Sequence, residues 1–316
     1  MEKNKQNIKL AITAITLFCG LGGGTLGLMF AQIKELLAID NWNVAQKAFE
    51  ANFTGKRNVP FWNIDISRLQ PFEILRKVLL NVKELGIMLL SPPCQGFSVA
   101  KGVINPLDPR NKLFLDSIAL IAGVLPKCFI IENVPGMNDP RNISILNEIK
   151  IRIAEQLGPH YEVRCFKLCT LFYSVPQKRH RLIFVGYLKE FGIVPTPPKP
   201  NHEMVFSSRI VDVTPEIDAI KVGQSKKILK HNTKYMNTIT ATDGVIVYSK
   251  GETRSLTVKE NKKFATFPDW YNIPAEISDK DSHKLFGNTI PPMFMKAIVE
   301  HIKDELGDNL LSQIDE

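Results

Sequence analysis

Cys94 stands in the stretch Ser91-Pro92-Pro93-Cys94-Gln95-Gly96-Phe97-Ser98, directly after the apolar run Ile87-Met88-Leu89-Leu90. Such a run reads as a short buried strand, and the polar, Gly- and Pro-bearing text that follows, to about Arg110, reads as a loop. Two consecutive prolines stiffen the backbone where the strand ends, so the thiol is held at the strand's carboxyl edge, where open α/β sheets keep their ligands. A cysteine there becomes a nucleophile when something lowers its pKa or takes its proton, because the thiolate is the attacking species. Glu132-Asn133 is a second polar group delivered to a carboxyl edge, at the end of the buried run Pro126 to Ile131. Gln177-Lys178-Arg179-His180-Arg181 is a third, a basic start to an alternating strand. Each has a plainer meaning on its own: a buried structural cysteine, a surface carboxylate, a solvated run of cations.

These groups need elements to position them. Ala11 to Leu17 is β-branched and apolar, a buried strand, and it runs into the turn Phe18-Cys19-Gly20-Leu21-Gly22-Gly23-Gly24. Leu26, Met29, Phe30, Ile33, Leu36 and Leu37 then recur at helical spacing. Strand, glycine turn and helix together suit an adenine nucleotide or a relative of one, since glycines let the backbone approach and a helix start offers free N–H groups. From Gly22 the text also satisfies the dinucleotide fingerprint, with Asp40 about twenty residues on. Beyond Asp40-Asn41-Trp42 a further helix is expected from Val44, Ala45, Ala48 and Phe49, and another from Ile145, Ile149, Ile153 and Leu157, leading to a strand from Tyr161 to Lys167. Pro195-Thr196-Pro197-Pro198-Lys199-Pro200 is a stiff extended linker, after which the text to about Thr238 is irregular and lysine-rich.

The chain has 316 residues, 44% of them hydrophobic, enough for one large domain or two. A formal charge of +8 favours polyanionic partners without naming one. Five cysteines, at 19, 94, 128, 165 and 169, are odd in number and irregularly spaced, which argues against a disulfide framework. Cys165 and Cys169 lack a second ligand pair, so no metal is expected. The apolar stretch near the N-terminus is too short for a secretory signal, and no stretch approaches the ~20 apolar residues of a membrane span. A soluble, intracellular protein is expected.

Pro92-Pro93-Cys94-Gln95-Gly96-Phe97-Ser98 resembles the active-site motif of the cytosine-C5 DNA methyltransferases. At least six stretches resemble that family's motifs in the family's order: the Phe18 turn, Asn63-Ile64-Asp65-Ile66, the Cys94 loop, Asp108 to Phe114, Glu132-Asn133-Val134, Gln177 to Arg181, Thr238 to Thr242 with Arg254 to Asp269, and Gly287-Asn288-Thr289-Ile290-Pro291-Pro292. The resemblance implies an α/β, Rossmann-like fold with a mostly parallel, doubly wound sheet and a small, irregular, β-containing target-recognition domain. The catalytic domain would comprise residues 1–190 and 281–316, the small domain 191–280. It implies Cys94 as nucleophile on C6 of cytosine, Glu132 on N3 and the exocyclic amine, Arg179 on O2, and Asn133 beside them. S-adenosyl-L-methionine, with no metal, would be held by Phe18, Gly20, Gly22, Gly23, Asp40 on the ribose, Asn41, Trp42 over the adenine, Asp65, Ile66, Pro92, Leu113, Asn288 and Thr289. Duplex DNA would meet Gln95, Ser98, Arg110, Gln177, Arg181, Lys226 and Lys230. The resemblance further implies a monomer in a prokaryotic cytoplasm, with a cognate restriction endonuclease acting separately. Thr16 departs from the family, which usually has an acid there. Transfer to tRNA, an inactive DNA-binding relative and an NAD enzyme are the competing readings.

Overall fold

The computed structural model describes residues 8–94, 96–97, 108–201, 217–222, 228–230, 236–239, 245–249 and 252–315. Five strands, β1 (Ile8–Leu17), β2 (Lys34–Asp40), β3 (Phe61–Asn63), β4 (Ile87–Leu90) and β5 (Cys128–Asn133), run parallel in the order β3-β2-β1-β4-β5. Beyond β5 the sheet continues through the antiparallel strand β8 (His180–Leu188) to β6 (Tyr161–Cys169), while β7 (Gln177–Lys178) precedes β8. From β1 the chain builds outward to β2 and β3 on one side, whereas β4 lies on the other side of β1. The carboxyl ends of β1 and β4 therefore flank the point where the strand order reverses, the place where such sheets bind ligands.

The helices are α1 (Gly23–Phe30), α2 (Asn43–Glu50), α3 (Thr54–Arg57), α4 (Pro71–Val78), α5 (Lys112–Val124), α6 (Ile143–Arg152), α7 (Val258–Phe264), α8 (Asp279–Asn288) and α9 (Pro292–Leu306). Alternate strand residues divide between two cores. Ile15, Leu17, Met88, Leu90, Phe129 and Ile131 pack with Ile74 of α4, Ile118 of α5 and Ile149 of α6. Ala14, Ile87, Leu89, Cys128 and Ile130 pack with Leu28 of α1 and Phe294, Ile298 and Ile302 of α9. This is the doubly wound, mainly parallel α/β architecture expected from the sequence. In one respect the expectation fails: the apolar spacing from Leu26 to Leu37 is not one helix. Helix α1 stops at Phe30, Gln32 adopts a left-handed φ of 61°, and Lys34 begins β2. Because β2 is covered on both faces, its apolar residues do not alternate, and the run Leu36-Leu37-Ala38-Ile39 imitates the stripe of a buried helix.

A separate antiparallel sheet, β10-β9-β12-β13, is formed by β9 (Ile217–Val222), β10 (Ile228–Lys230), β12 (Val245–Ser249) and β13 (Glu252–Ser255). Strand β11 (Met236–Asn237) instead pairs with β7. Past this sheet the chain returns to its start. Ala265, Phe267, Tyr271 and Phe286 pack with Leu21, Leu26, Phe49 and Phe53, and the Tyr271 hydroxyl donates to the Leu21 carbonyl at 2.5 Å. The last strand, β14 (Leu311–Asp315), lies antiparallel to the first half of β1.

The acid missing at position 16 has a counterpart nearby. Thr16, on β1, and Glu35, on β2, are both buried beneath α1. Thr25 Oγ1 of α1 donates to Glu35 Oε1 at 3.2 Å. The Thr16 hydroxyl lies against the same carboxyl, and Thr16 Oγ1 and Glu35 Oε2 are buried without a partner in hydrogen-bond geometry. Burial pushes the Glu35 carboxyl from an ordinary 4.5 up to about 7, against the two threonine hydroxyls that favour its charged form. A carboxyl whose folded pKa is raised takes up protons on folding, so its stabilisation is full below pH 4.5 and is lost as the pH rises through 7. Glu35→Gln copies the protonated acid. Chemical denaturation should find the variant close to the parent at pH 4 and more stable by up to ~3 kcal/mol at pH 8.5; a difference independent of pH would contradict the assignment.

Candidate active site

The turn after β1 is a strained piece of backbone. Phe18, Gly20 and Gly22 all have positive φ, at 56°, 51° and 80°. Phenylalanine has no intrinsic reason to adopt that conformation, and such residues cluster where a site over-determines the backbone. The surroundings hold it: Ser91 Oγ donates to the Phe18 carbonyl at 3.0 Å, Cys19 N–H donates to Ile39 O at 3.1 Å, and Gly20 N–H donates to Asp40 Oδ2 at 2.8 Å. Gly23 opens α1 and must be glycine for a different reason. A Cβ there would lie 2.0 Å from the Ile290 carbonyl oxygen and 2.4 Å from Thr289 Oγ1. The returning segment is thus seated directly on the turn, with Thr289 buried and Asn288 exposed.

Of the other expected cofactor residues, Asp40 is bonded to this turn. Asp40 ends β2 with Oδ1 accepting from Trp42 N–H at 3.0 Å, and burial raises its pKa although the N–H groups of Gly20, Trp42 and Asn41 oppose the shift. Trp42 is half-buried, with Lys284 Nζ 4.6 Å from its ring centroid. Asp65 caps a short 3-10 turn through Ser67 N–H, and Ile66 behind it is buried. Pro92 is buried, and Leu113 on α5 is half-buried. A glycine-lined turn, free helix N–H groups, an aromatic wall and polar groups at the strand ends suit an adenosyl compound bearing an amino-acid tail.

The second half of the site follows β4 and β5. Leu90 and Ile131 are register partners, so Cys94, four residues past one, and Glu132, next after the other and still on β5, stand at the same edge of the sheet. Asn133 Nδ2 donates to the Pro92 carbonyl at 3.4 Å and ties the two segments together. Gly96 packs against Asn111, whose Oδ1 a Cβ would approach to 2.1 Å. Because β8 is antiparallel, its beginning rather than its end reaches this edge: Ile183 pairs with Glu132 and Leu182 with Asn133.

The alternation of β7 and β8 then sorts the basic motif. Gln177, Arg179 and Arg181 point inward and are buried, while Lys178 and His180 are exposed. Gln177 and Arg181, expected to touch DNA, are therefore interior groups. Gln177 Oε1 accepts from Ile239 N–H at 3.3 Å. Arg181 forms an ion pair through Nε with Glu132 Oε1, two side chains about a tenth exposed. Arg179 spans two distant segments, with Nη1 donating to Ile239 O and Nη2 to Gly287 O, both at 3.0 Å, and its Nε is buried without a partner. Burial pulls the Arg179 pKa down to about 9, so the group stays cationic at neutral pH. The half-buried Cys94 thiol feels all of these: burial raises its pKa, Arg181 lowers it, Glu132 raises it and Arg179 lowers it.

Sequence reasoning assembled Cys94, Glu132 and Arg179 but missed Arg181 as the carboxylate's partner, although the shared parity of 177, 179 and 181 with the buried Ile183 and Val185 carried the signal. Arg110 is exposed and paired with Asp108 at 2.5 Å. Lys230 lies on β10. Gln95, Ser98 and Lys226 lie outside the described residues. Among the described residues no group of three or more His, Cys, Asp or Glu could hold a metal ion, and no helix is long and apolar enough to cross a membrane.

Comparison with known proteins agrees with this geometry. The Type II methyltransferase M1.HphI of Haemophilus parahaemolyticus is 26% identical over 338 residues, covering 93% of this chain and 87% of the relative. The Type II methyltransferase M.HpaII of Haemophilus parainfluenzae is 25% identical over 349 residues, covering 97% and 93%. Among solved structures, the Entamoeba histolytica methyltransferase EhMeth superposes with a TM-score of 0.70 at 17% identity, covering 94% of this chain and 99% of that one, a likeness of fold. Residues 12–240 and 212–304 match the family described as C-5 cytosine-specific DNA methylase. With the family matched along nearly the whole chain and its sheet edge furnished with thiol, carboxylate and guanidinium groups, the protein belongs to the C-5 cytosine-specific DNA methylases and is a DNA cytosine-C5 methyltransferase.

Proposed function

We propose that the chain transfers a methyl group from S-adenosyl-L-methionine to C5 of a cytosine turned out of a short, specific DNA sequence, through a transient bond between Cys94 and C6. The observation that carries this reading is the convergence of the Cys94 thiol, the Glu132 carboxylate and the Arg179 and Arg181 guanidiniums at one edge of the sheet. Cytosine C5 is a poor nucleophile. Addition of the Cys94 thiolate to C6 pushes the ring's electron pair to C5, where it can attack an electrophilic carbon. The bound cofactor supplies that carbon as a methyl group on a sulfonium, whose sulfur leaves with the bonding pair. A base then removes the C5 proton, the electrons return to the ring and Cys94 is expelled.

The protein's part is electrostatic. Two guanidiniums face one carboxylate, so the pocket carries an excess of positive charge before a base enters. The two cations offset part of the burial that holds the Cys94 pKa above its ordinary value, and they favour the charge that gathers on the ring as sulfur adds. Arg179 keeps its Nε free for the carbonyl oxygen O2 of the base while its other nitrogens are fixed by Ile239 and Gly287. Glu132, oriented by Arg181, is placed to share a proton with N3 and to accept from the exocyclic amine, with Asn133 fixing the strand end. A stacked base cannot reach a thiol at this depth, which is why extrusion is part of the reading.

The cofactor falls to the turn Phe18 to Gly23, to Asp40, Asn41, Trp42, Asp65, Ile66, Pro92 and Leu113, and to the returning Asn288 and Thr289. We take the sheet β10-β9-β12-β13 as the centre of a target-reading unit within residues 191–280 that contributes Lys226 and Lys230 to the duplex, while Gln95, Ser98 and Arg110 meet the DNA from the catalytic domain. The enzyme is read as a cytoplasmic monomer, and the Type II naming of the relatives supports a separate restriction endonuclease beside it.

Bisulfite sequencing of DNA from a methylation-free bacterial host expressing the chain should reveal protected cytosines within one short sequence. Cys94→Ala should lower methylation by at least ~1000-fold; methylated product from that variant would refute the covalent route. Arg181→Lys keeps a charge but loses the planar fork, and kcat should fall ~10–100-fold with cofactor affinity unchanged. An unaltered kcat would place the reacting ring elsewhere.

A further inference from the structure

A cavity of about 560 Å³, within the size range of small-molecule sites, lies at the edge of the main sheet opposite the one that carries Cys94. It stands where β1 and β2 begin and just ahead of β4 and β5. Leu36, Val78, Leu80 and Leu311 line it with aliphatic carbon, and Lys34, Lys83 and Lys127 add three cations. Glu84 is the one acid among the described lining residues, and its carboxylate already accepts from the backbone N–H and the side-chain amide of Asn81. Lys83 pairs with Glu190 at 2.8 Å and Lys127 donates to the Leu311 carbonyl. Lys34 is exposed and makes no hydrogen bond or ion pair with any described residue.

Leu79, on the same cavity, is a second and independent sign that something covers this place. It ends α4 with a left-handed φ of 56°, a conformation that favours glycine, and it is 87% exposed. Leu10 joins it there at 58% exposed. No contact within the described fold repays a leucine held that way in water.

We infer that this cavity binds a small carboxylate with an unbranched aliphatic tail, the tail covering Leu79 and Leu10 and the carboxylate meeting Lys34. The described lining holds no aromatic ring, so a nucleobase finds no face to stack on, whereas a flexible chain needs none. It also holds no arginine fork to grip a phosphate at two points, and a lysine ammonium serves a single carboxylate well. The site is separate from methyl transfer and does not depend on that reading.

Isothermal titration of the full chain with sodium octanoate, below the concentration at which it forms micelles, should show saturable binding of one equivalent. Octanol has the same tail and no charge, and it should bind about tenfold more weakly. Lys34→Met should weaken octanoate about tenfold and leave octanol unchanged. Leu79→Gly should weaken both about tenfold, while the melting temperature of the unliganded chain holds or rises, because glycine suits the left-handed end of α4. A purely structural leucine would not give that combination. Absence of saturable octanoate binding, equal affinity for octanol, or octanoate affinity that survives either substitution would overturn the assignment, as would a lower melting temperature in Leu79→Gly.

Discussion

Two guanidiniums are carried into the carboxyl edge of the sheet against a single carboxylate, and desolvating them is the constraint the architecture has to meet. A buried cation left unpaired costs several kcal/mol. Arg181 meets the cost through Glu132, and Arg179 through the carbonyls of Ile239 and Gly287. Those carbonyls belong to segments 60 and 108 residues further along the chain. The same fork therefore joins the catalytic edge, the approach to the small sheet and the end of α8. Removing any one of the three would leave a charge without its acceptor, so the site and the fold around it are stabilised as a unit.

The topology explains why these groups meet at all. The parallel strands β1, β4 and β5 deliver the glycine turn, Cys94 and Glu132 to one edge, because the first two follow their strands and Glu132 is the last residue but one of β5. Strand β8 runs the other way, so it brings its first residues there instead. The returning segment closes over the turn at Gly23, where no side chain fits beneath Ile290. The glycine turn, Cys94 and Glu132 are thereby gathered at one edge of one sheet, while β10-β9-β12-β13 forms a different sheet.

Much of this was legible in the sequence. Cys94 and Glu132 each end a short apolar run, which is sufficient to place them at strand ends, and the prolines and glycines around them mark the turns. What sequence reading lost depended on which face a residue takes. The double-sided burial of β2 hid a strand inside an apparent helix stripe. The basic look of Gln177 to Arg181 suggested a surface, although alternate residues of that stretch are interior. Glu35 carries no local mark in the sequence, and only its register beside β1 places it under α1 near Thr16. Asp40 has the residue type and spacing of a ribose acid, but its carboxylate is turned toward the backbone of the glycine turn. Hydrogen bonds between residues twenty apart leave no local pattern.

The central claim is a sulfur–carbon bond at residue 94, and it can be caught directly. A duplex carrying 5-fluorocytosine at the target gives the enzyme no proton to remove from C5, so the adduct cannot resolve once the methyl group has been transferred. Intact-mass and peptide mass spectrometry of the protein incubated with that duplex and S-adenosyl-L-methionine should find the methylated strand covalently attached, with the linkage on Cys94. A duplex methylated by the enzyme in its ordinary form, with no adduct to the fluorinated one or with the adduct on another residue, would contradict the account.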